Sequence, residues 1–293
     1  MAGHTALKRK PATAGTPPWR GAYVIAFGNE KGGTGKTTAA VHLTILLLKN
    51  GYRVSAIDLD SRQKSFFRYI ENRGAFAARS GHELEIPRVR VVDRSRSALF
   101  AEASAEEGSA FERALNEARA NADYVIIDTP GNDTLLSRLG HAAADTLVTP
   151  LNDSFVDFDL LAKLDTETLK VQGPSLYSEF VWECRKRRVL SRRPAIDWVV
   201  MRNRISALDA RNKRRVGSAL KELSARIGFR EARGIGERVI FRELFPFGLT
   251  VLDLPLSGVP VAFSMSHVSA RQEIRSLLTA LQLPGIEKAA VGA

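Results

Sequence analysis

Short apolar runs alternate with longer amphipathic stretches along most of this chain. "AYVIAF", Ala22 to Phe27, is apolar throughout and stops at Gly28, as a strand buried on both faces does. The spacing then predicts a helix over Lys36–Asn50 with Gly51 just past its end, and a strand over Arg53–Leu59. A helix over Arg62–Arg79 and a weak strand over Val89–Asp93 follow. Next come a helix over Phe111–Ala120, a strand within "DYVIIDTPG" (Asp123–Gly131), a short helix, and a strand over Thr146–Pro150. Beyond these the pattern predicts mostly helix over Phe155–Gln172 and Ser175–Ser191, and a strand over Ile196–Asn203. Helices from about Leu208 to Ile227 and over Ser269–Leu283 complete the series. Strands alternating with helices imply an α/β fold, a mostly parallel sheet with helices on both faces. With no repeat or internal linker, residues 21–293 are expected to form one domain. Residues 1–20, rich in Pro, Ala, Thr and Gly, are expected to be a disordered basic tail.

Composition changes this picture little, but charge does. Cys184 is the single cysteine among 293 residues, so neither a disulfide framework nor a self-contained cysteine metal site is available. No run of eighteen apolar residues occurs, so no spanning segment is expected. The net charge of +11 is concentrated. The tail carries +4, Glu183–Arg193 carries +5 and Arg202–Arg215 carries +5, which leaves −3 for the rest. That is the footprint of a polyanion partner, or a set of solvated helix faces.

The chemistry concentrates in "GNEKGGTGKTT", Gly28 to Thr38, which joins the first strand to the first helix. Backbone N–H groups of a glycine-rich turn at a helix N-terminus point at phosphate oxygens. Gly32, Gly33, Thr34 and Gly35 supply that turn, and Lys36, Thr37 and Thr38 open the helix. Lys36 is placed to reach β- and γ-phosphates, and the Thr37 hydroxyl to bind Mg²⁺. The first glycine of the usual pattern is replaced by Glu30, and a second lysine, Lys31, follows it.

"KGGTGKTT" resembles the deviant phosphate loop of the ParA/MinD ATPases, within the P-loop NTPases of the SIMIBI type. The resemblance implies that Lys31 reaches across a homodimer interface to the nucleotide of the other subunit. "IDLDSRQKS" resembles the family's switch I, implying that Asp60 orients the attacking water and Asp58 helps hold the Mg²⁺ shell. "VIIDTPG" resembles its Walker B strand and switch II, which implies a Mg²⁺ role for Asp128 and places Gly131 near the γ-phosphate. Asn203 matches a position that contacts adenine. Lys31, Lys36 and Asp60 are then the expected catalytic residues, and ATP and Mg²⁺ the expected cofactors.

The phosphate-loop segment "NEKGGTGKTTAAVHL" and four later ones, "DSFVDFDLL", "PSLYSEFVWECRKRR", "DWVVMRNR" and "RELFPFGLTVLDL", are together similar to the MipZ branch, the division-plane positioning ATPases of alphaproteobacteria. That similarity spans Tyr23 to Leu283 and omits the tail. It implies an ATP-dependent dimer on non-specific chromosomal DNA, recruitment of the monomer by ParB, and inhibition of FtsZ polymerisation. It also implies a cytoplasmic, nucleoid-associated protein enriched near the cell poles. A ParA-type chromosome or plasmid partition ATPase is the alternative, since it uses the same switch.

The DNA expectation has independent support. On a helix ending at Ile227, Val216, Leu220, Leu223 and Ile227 share one face. Arg211, Arg214 and Lys221 fall opposite, with Arg215 and Arg226 on a flank. No aromatic residues interleave with them, so duplex phosphates are the better match than stacked bases. Two segments read either way. "FRELFPFGLT" suits an exposed docking patch or a core. The stripe Ile274, Leu277, Leu278 and Leu281 suits docking on the sheet or, less well given the following Pro-Gly, a membrane surface.

Overall fold

The apolar run that opens the pattern becomes the middle of a sheet. The computed structural model describes residues 21–152, 155–164, 171–204, 220–254, 256 and 264–286. Its strands are β1 (Tyr23–Phe27), β2 (Val54–Asp58), β3 (Arg88–Val91), β4 (Tyr124–Asp128), β5 (Thr146–Asn152), β6 (Ala162–Leu164), β7 (Val171–Pro174), β8 (Asp197–Asn203) and β9 (Arg230–Arg233). Seven make one sheet in the order β3-β2-β4-β1-β5-β8-β9, with every neighbouring pair parallel. β1, β2, β4 and β5 are therefore buried on both faces, and that is why they read as largely apolar runs.

Helices cover both faces. α1 (Lys36–Lys49), α2 (Ser65–Ser80) and the closing helix Met265–Leu281 pack on one side, around Phe27, Leu43, Phe66 and Ile274. α3 (Phe100–Asn121), α4 (Leu135–Ala143) and α6 (Leu176–Leu190) pack on the other, around Phe111, Leu136, Val181 and Trp198. α1 touches the sheet, α2 and the closing helix at once, so Ala39 to Leu47 is buried on every side. The stripe Ile274, Leu277, Leu278 and Leu281 lies wholly in this core, which removes it as a membrane-facing surface. Among the described residues no helix is long and apolar enough to cross a membrane.

Three expectations change. The described residues of Phe155–Gln172, which are 155–164, 171 and 172, are not mostly helix. A single helical turn, α5 (Phe155–Phe158), gives way to β6, which pairs antiparallel with β7. Its Leu160, Leu161 and Ala162 are buried in succession, and three consecutive apolar positions cannot share one helical stripe. Helix α3 begins eleven residues earlier than its apolar period, because "FAEASAEEGSA" has high helix propensity but leaves Phe100 in solvent. β9 ("REAR") has no apolar alternation to announce it. It is held at the sheet edge by Arg230 on Asp197, with Nη2–Oδ2 at 2.5 Å, and by Arg202 on Glu231 at 3.6 Å.

"FRELFPFG" resolves as core. Leu244 is buried, while Phe245 and Phe247 meet Tyr69 and Phe76 of α2 edge-on at 5.3 and 6.1 Å between ring centres. A buried ion pair clamps this segment down. Arg73 of α2 donates from Nη1 to Asp253 Oδ2 at 2.7 Å and from Nη2 to Oδ1 at 3.1 Å, both side chains fully buried. Arg73 also donates to the Gly248 and Glu85 carbonyls. Burial alone would raise the Asp253 carboxyl, but Arg73 and Lys49 outweigh it and hold it well below the usual carboxylate range.

Asp253→Asn removes the buried carboxylate facing Arg73, leaving it only the partly exposed Glu85 at 3.5 Å, and is expected to cost about 3 kcal/mol in denaturant unfolding. Because the folded-state pKa is depressed, the wild-type contribution is complete above a pH of about 4 and is lost on further acidification. Unfolding midpoints of the variant should therefore depend less on pH in the acid range than those of the parent.

Candidate nucleotide site

The expected phosphate loop lies where strand geometry puts it, at the C-terminal edge of the parallel sheet. β1 ends at Phe27, and the Gly28 N–H is held by the Val148 carbonyl at 2.9 Å. Asn29 then anchors the turn. Its amide donates to the Pro150 carbonyl at 2.5 Å, and its Oδ1 accepts the Lys31 N–H at 2.7 Å. Gly33 and Gly35 take left-handed φ values of 71° and 87°, which only glycine adopts freely. Gly35 is constrained twice, since an added Cβ would lie 2.1 Å from Asn203 Nδ2.

The turn brings Lys36 Nζ back to within 2.8 Å of the Lys31 carbonyl, so the ammonium sits inside the loop. Burial pushes the Lys36 pKa down, and the Asp128 and Asp60 carboxylates pull it up. The Thr34 hydroxyl is buried and has no hydrogen-bond partner among the described residues.

Sheet register pairs Asp58 with Asp128 at the ends of β2 and β4. Burial, then the Asp58 carboxylate, push Asp128 up to about 8, while the Thr37 hydroxyl donates to its Oδ2 at 2.6 Å. Asp128 Oδ1 is buried without a partner among the described residues. Burial likewise pushes Asp58 up to about 6. Both Asp58 oxygens are engaged, accepting the Asp60 N–H at 3.0 Å and the Phe67 N–H at 3.1 Å. Asp58 thus braces the turn carrying Asp60 and the start of α2. Asp60 lines the cleft and accepts the Gln63 N–H at 3.1 Å. Oxygen donors from Thr37 and Asp128, with the free Oδ1, fit a hard divalent cation such as Mg²⁺.

All the loop residues from Gly32 to Thr38, with Asp60 and Gly131, line one cleft of about 680 Å³. Its far wall is Tyr69, Phe241 and Phe245. Gly131 passes so close to Gly32 that a Cβ would sit 3.0 Å from its Cα, so the turn after β4 touches the phosphate loop directly.

Two features escape sequence reasoning because they join distant positions. Lys31 Nζ forms an ion pair with Asp157 of α5 at 3.1 Å, across 126 positions of chain. Behind the loop, Tyr177 of α6 places its hydroxyl 3.0 Å from the Gly28 carbonyl, 2.9 Å from Thr149 Oγ1 and 3.1 Å from His141 Nε2 of α4. Burial lowers His141 to about 4, so its ring is neutral. Nδ1 faces the Ser137 carbonyl at 2.7 Å and is therefore the protonated nitrogen.

Asn203 is 5% exposed and donates to the Thr34 carbonyl at 2.6 Å. The structure thus gives its N–H₂ group to the loop. Of the expected DNA-contacting residues, Lys221 is exposed next to the buried Leu220 and Leu223. Arg211, Arg214 and Arg215 lie outside the described residues, as do residues 1–20.

The family model for the ATPase MipZ matches residues 23–285. The chain belongs to the MipZ family of ATPases. The chromosome partitioning protein ParA of Caulobacter vibrioides is 28% identical over 170 residues, covering 51% of this chain and 63% of that protein. The chain therefore spans less than two thirds of the curated relatives it matches. Among solved structures, an ATP complex of a Cyanothece McdA variant superposes with a TM-score of 0.58 at 18% identity, covering 91% of this chain and 98% of that one. MinD of Pyrococcus horikoshii OT3 with Mg-ADP gives 0.52 at 15%, covering 88% and 95%. The fold is that of the ParA/MinD P-loop ATPases.

If Asn203 braces the loop rather than reading a base, Asn203→Ala weakens ATP and GTP binding by the same factor. Loss of one buried hydrogen bond of about 1 kcal/mol corresponds to roughly fivefold. Competition titrations with a fluorescent nucleotide measure both.

Proposed function

We propose that this MipZ-family ATPase works as an ATP-switched homodimer that positions the division site. The observation that carries this reading is the pair of lysines in one loop. Lys36 Nζ turns back inside the loop, whereas Lys31 Nζ is partly exposed at 35% and paired with Asp157 of α5. Paired with Asp157, that second cation adds little to its own nucleotide's field. Transferred to a facing subunit, it would offset triphosphate charge and favour the transition state. Nucleotide complexes of McdA and MinD, which share the fold, support ATP as the ligand.

The chain's residues then divide the work. Gly32 to Thr38 hold the phosphates, and Lys36 offsets charge on the β- and γ-phosphates. Asp60 orients water toward the γ-phosphate, and Asn203 secures the loop. Thr37 and Asp128, with Asp58 behind, are the residues that would hold Mg²⁺, which supplies charge neutralisation at the phosphates when bound. Gly131 couples the turn after β4 to the same loop. Hydrolysis is slow and resets dimer to monomer.

In this reading the dimer binds duplex DNA non-specifically through Lys221 with Arg211, Arg214 and Arg215, and inhibits FtsZ polymerisation. The monomer is recaptured by ParB. The protein is nucleoid-associated in the cytoplasm, enriched near the poles, with no stable membrane binding. The relation to Caulobacter ParA keeps chromosome partition as the second reading.

Light scattering with ATP separates the roles. Lys31→Ala should remain monomeric while still binding nucleotide, and Asp60→Ala should accumulate as an ATP-bound dimer. Asp157→Asn loosens the hold on Lys31 within its own subunit and should raise the dimer fraction at a given ATP concentration. A Lys31→Ala protein that still dimerises would end this reading.

Sedimentation of FtsZ polymers with the Asp60→Ala dimer separates division from partition. Polymer lost with ATP but not ADP supports the division reading. Polymer unchanged beside a verified dimer assigns the protein to partition.

A further inference from the structure

Helices α4 and α6 leave a groove of about 580 Å³ between them, on the face of the sheet away from α1. Its floor is apolar, formed by Leu139, Ala142, Phe180 and Cys184. Leu176 stands at its mouth, 77% exposed. Arg138 sits over the Phe180 ring, 5.3 Å from its centre, and is paired with Asp133.

The other end of the groove is crowded with guanidinium groups. Arg187, Arg188 and Arg193 line it together with Glu179 and Glu183; Glu183 is paired with Lys186, so Asp145 is the carboxylate that meets these arginines directly. Asp145 binds Arg188, lies 3.8 Å from Arg193, and also accepts the Val24 N–H at 2.8 Å. Arg119, at the end of α3, joins the same cluster. Burial lowers its pKa, and Arg193 lowers it further. Half-buried, Arg119 makes no side-chain hydrogen bond or ion pair with any described residue, and among those residues Arg187 is likewise unpaired and exposed. A desolvated guanidinium without an acceptor is costly unless a partner supplies one.

We propose that this groove docks an acidic amphipathic helix of another protein, with apolar side chains on Leu139, Phe180 and Leu176 and carboxylates on Arg119, Arg187 and Arg193. Apolar anchors at helical spacing in a groove with a charged rim are the ordinary form of helix recognition. Charge complementarity selects the occupant. The chain's own residues 1–20 carry Lys8, Arg9, Lys10 and Arg20 without an acid, so they are repelled. Duplex DNA would satisfy the arginines but leave the apolar floor wet.

The probe is a fluorescein-labelled 18-residue peptide with Leu at every third or fourth position and Glu elsewhere, added to the full-length protein and followed by anisotropy. Saturable binding is expected, weakened about tenfold or more by Arg187→Glu combined with Arg193→Glu, and also by Leu176→Lys. Both variants change exposed side chains, and unaltered binding of a fluorescent ATP analogue verifies their fold. A matching Leu/Lys peptide should not bind. The proposal is overturned if the Glu peptide does not bind, if the Lys peptide binds as well, or if the substitutions leave its affinity unchanged. Displacement of the peptide by duplex DNA that binds Leu176→Lys as tightly as the parent would also overturn it, and identify the arginines as a polyanion surface instead.

Discussion

Two carboxylates side by side at the ends of neighbouring strands organise this molecule. Parallel register leaves Asp58 and Asp128 no freedom to separate. Two negative charges there would repel where screening is least, and burial with Asp58 accordingly pushes Asp128 up to about 8. The fold answers with donors. Backbone N–H groups from the turn and from α2 face Asp58, while the Thr37 hydroxyl and the Lys36 ammonium face Asp128. Each of those donors belongs to an element that a nucleotide would touch. The phosphate loop, the Asp60 turn and the start of α2 are thereby tied to one electrostatic problem, and a change in charge there is felt by all three.

The same elements were unequally legible in the sequence. β1, β2, β4 and β5 announce themselves because strands buried on both faces must be apolar at every position. The loop from Gly28 to Thr38 announces itself because phosphate contact restricts residue type within a short stretch. β9 stays silent because its only buried apolar side chain is Ala232, and much of its hold comes from ion pairs whose partners lie on another strand. Phe155–Gln172 misleads because buried residues in a tight turn and a short strand resemble a helix core when counted without direction.

The site divides along the same line. Lys36, Thr37 and Asp128 were recognisable from local pattern, and the structure brings them together. Asp157 was not, because an aspartate in a short helical turn carries no mark of the lysine it meets across 126 positions of chain. Asn203 was recognisable as a position, yet its neighbours set its work: pressed against Gly35, its amide has the Thr34 carbonyl within reach. Sequence identifies which atoms are available. Packing decides what they are used for.

Tyr177 illustrates how a single proton can carry a message. Thr149 Oγ1 receives the Trp198 indole N–H, so its own hydrogen is free to go to the Tyr177 oxygen. The phenol then has one hydrogen and two claimants, the Gly28 carbonyl under the phosphate loop and Nε2 of His141 on α4. It can serve either, never both. Whichever is refused is a buried acceptor with a lone pair unanswered, so the phosphate loop and the helix that follows Gly131 compete for one hydrogen atom. Any displacement of α4 that draws His141 away settles that competition in favour of the loop, before a single charge has moved.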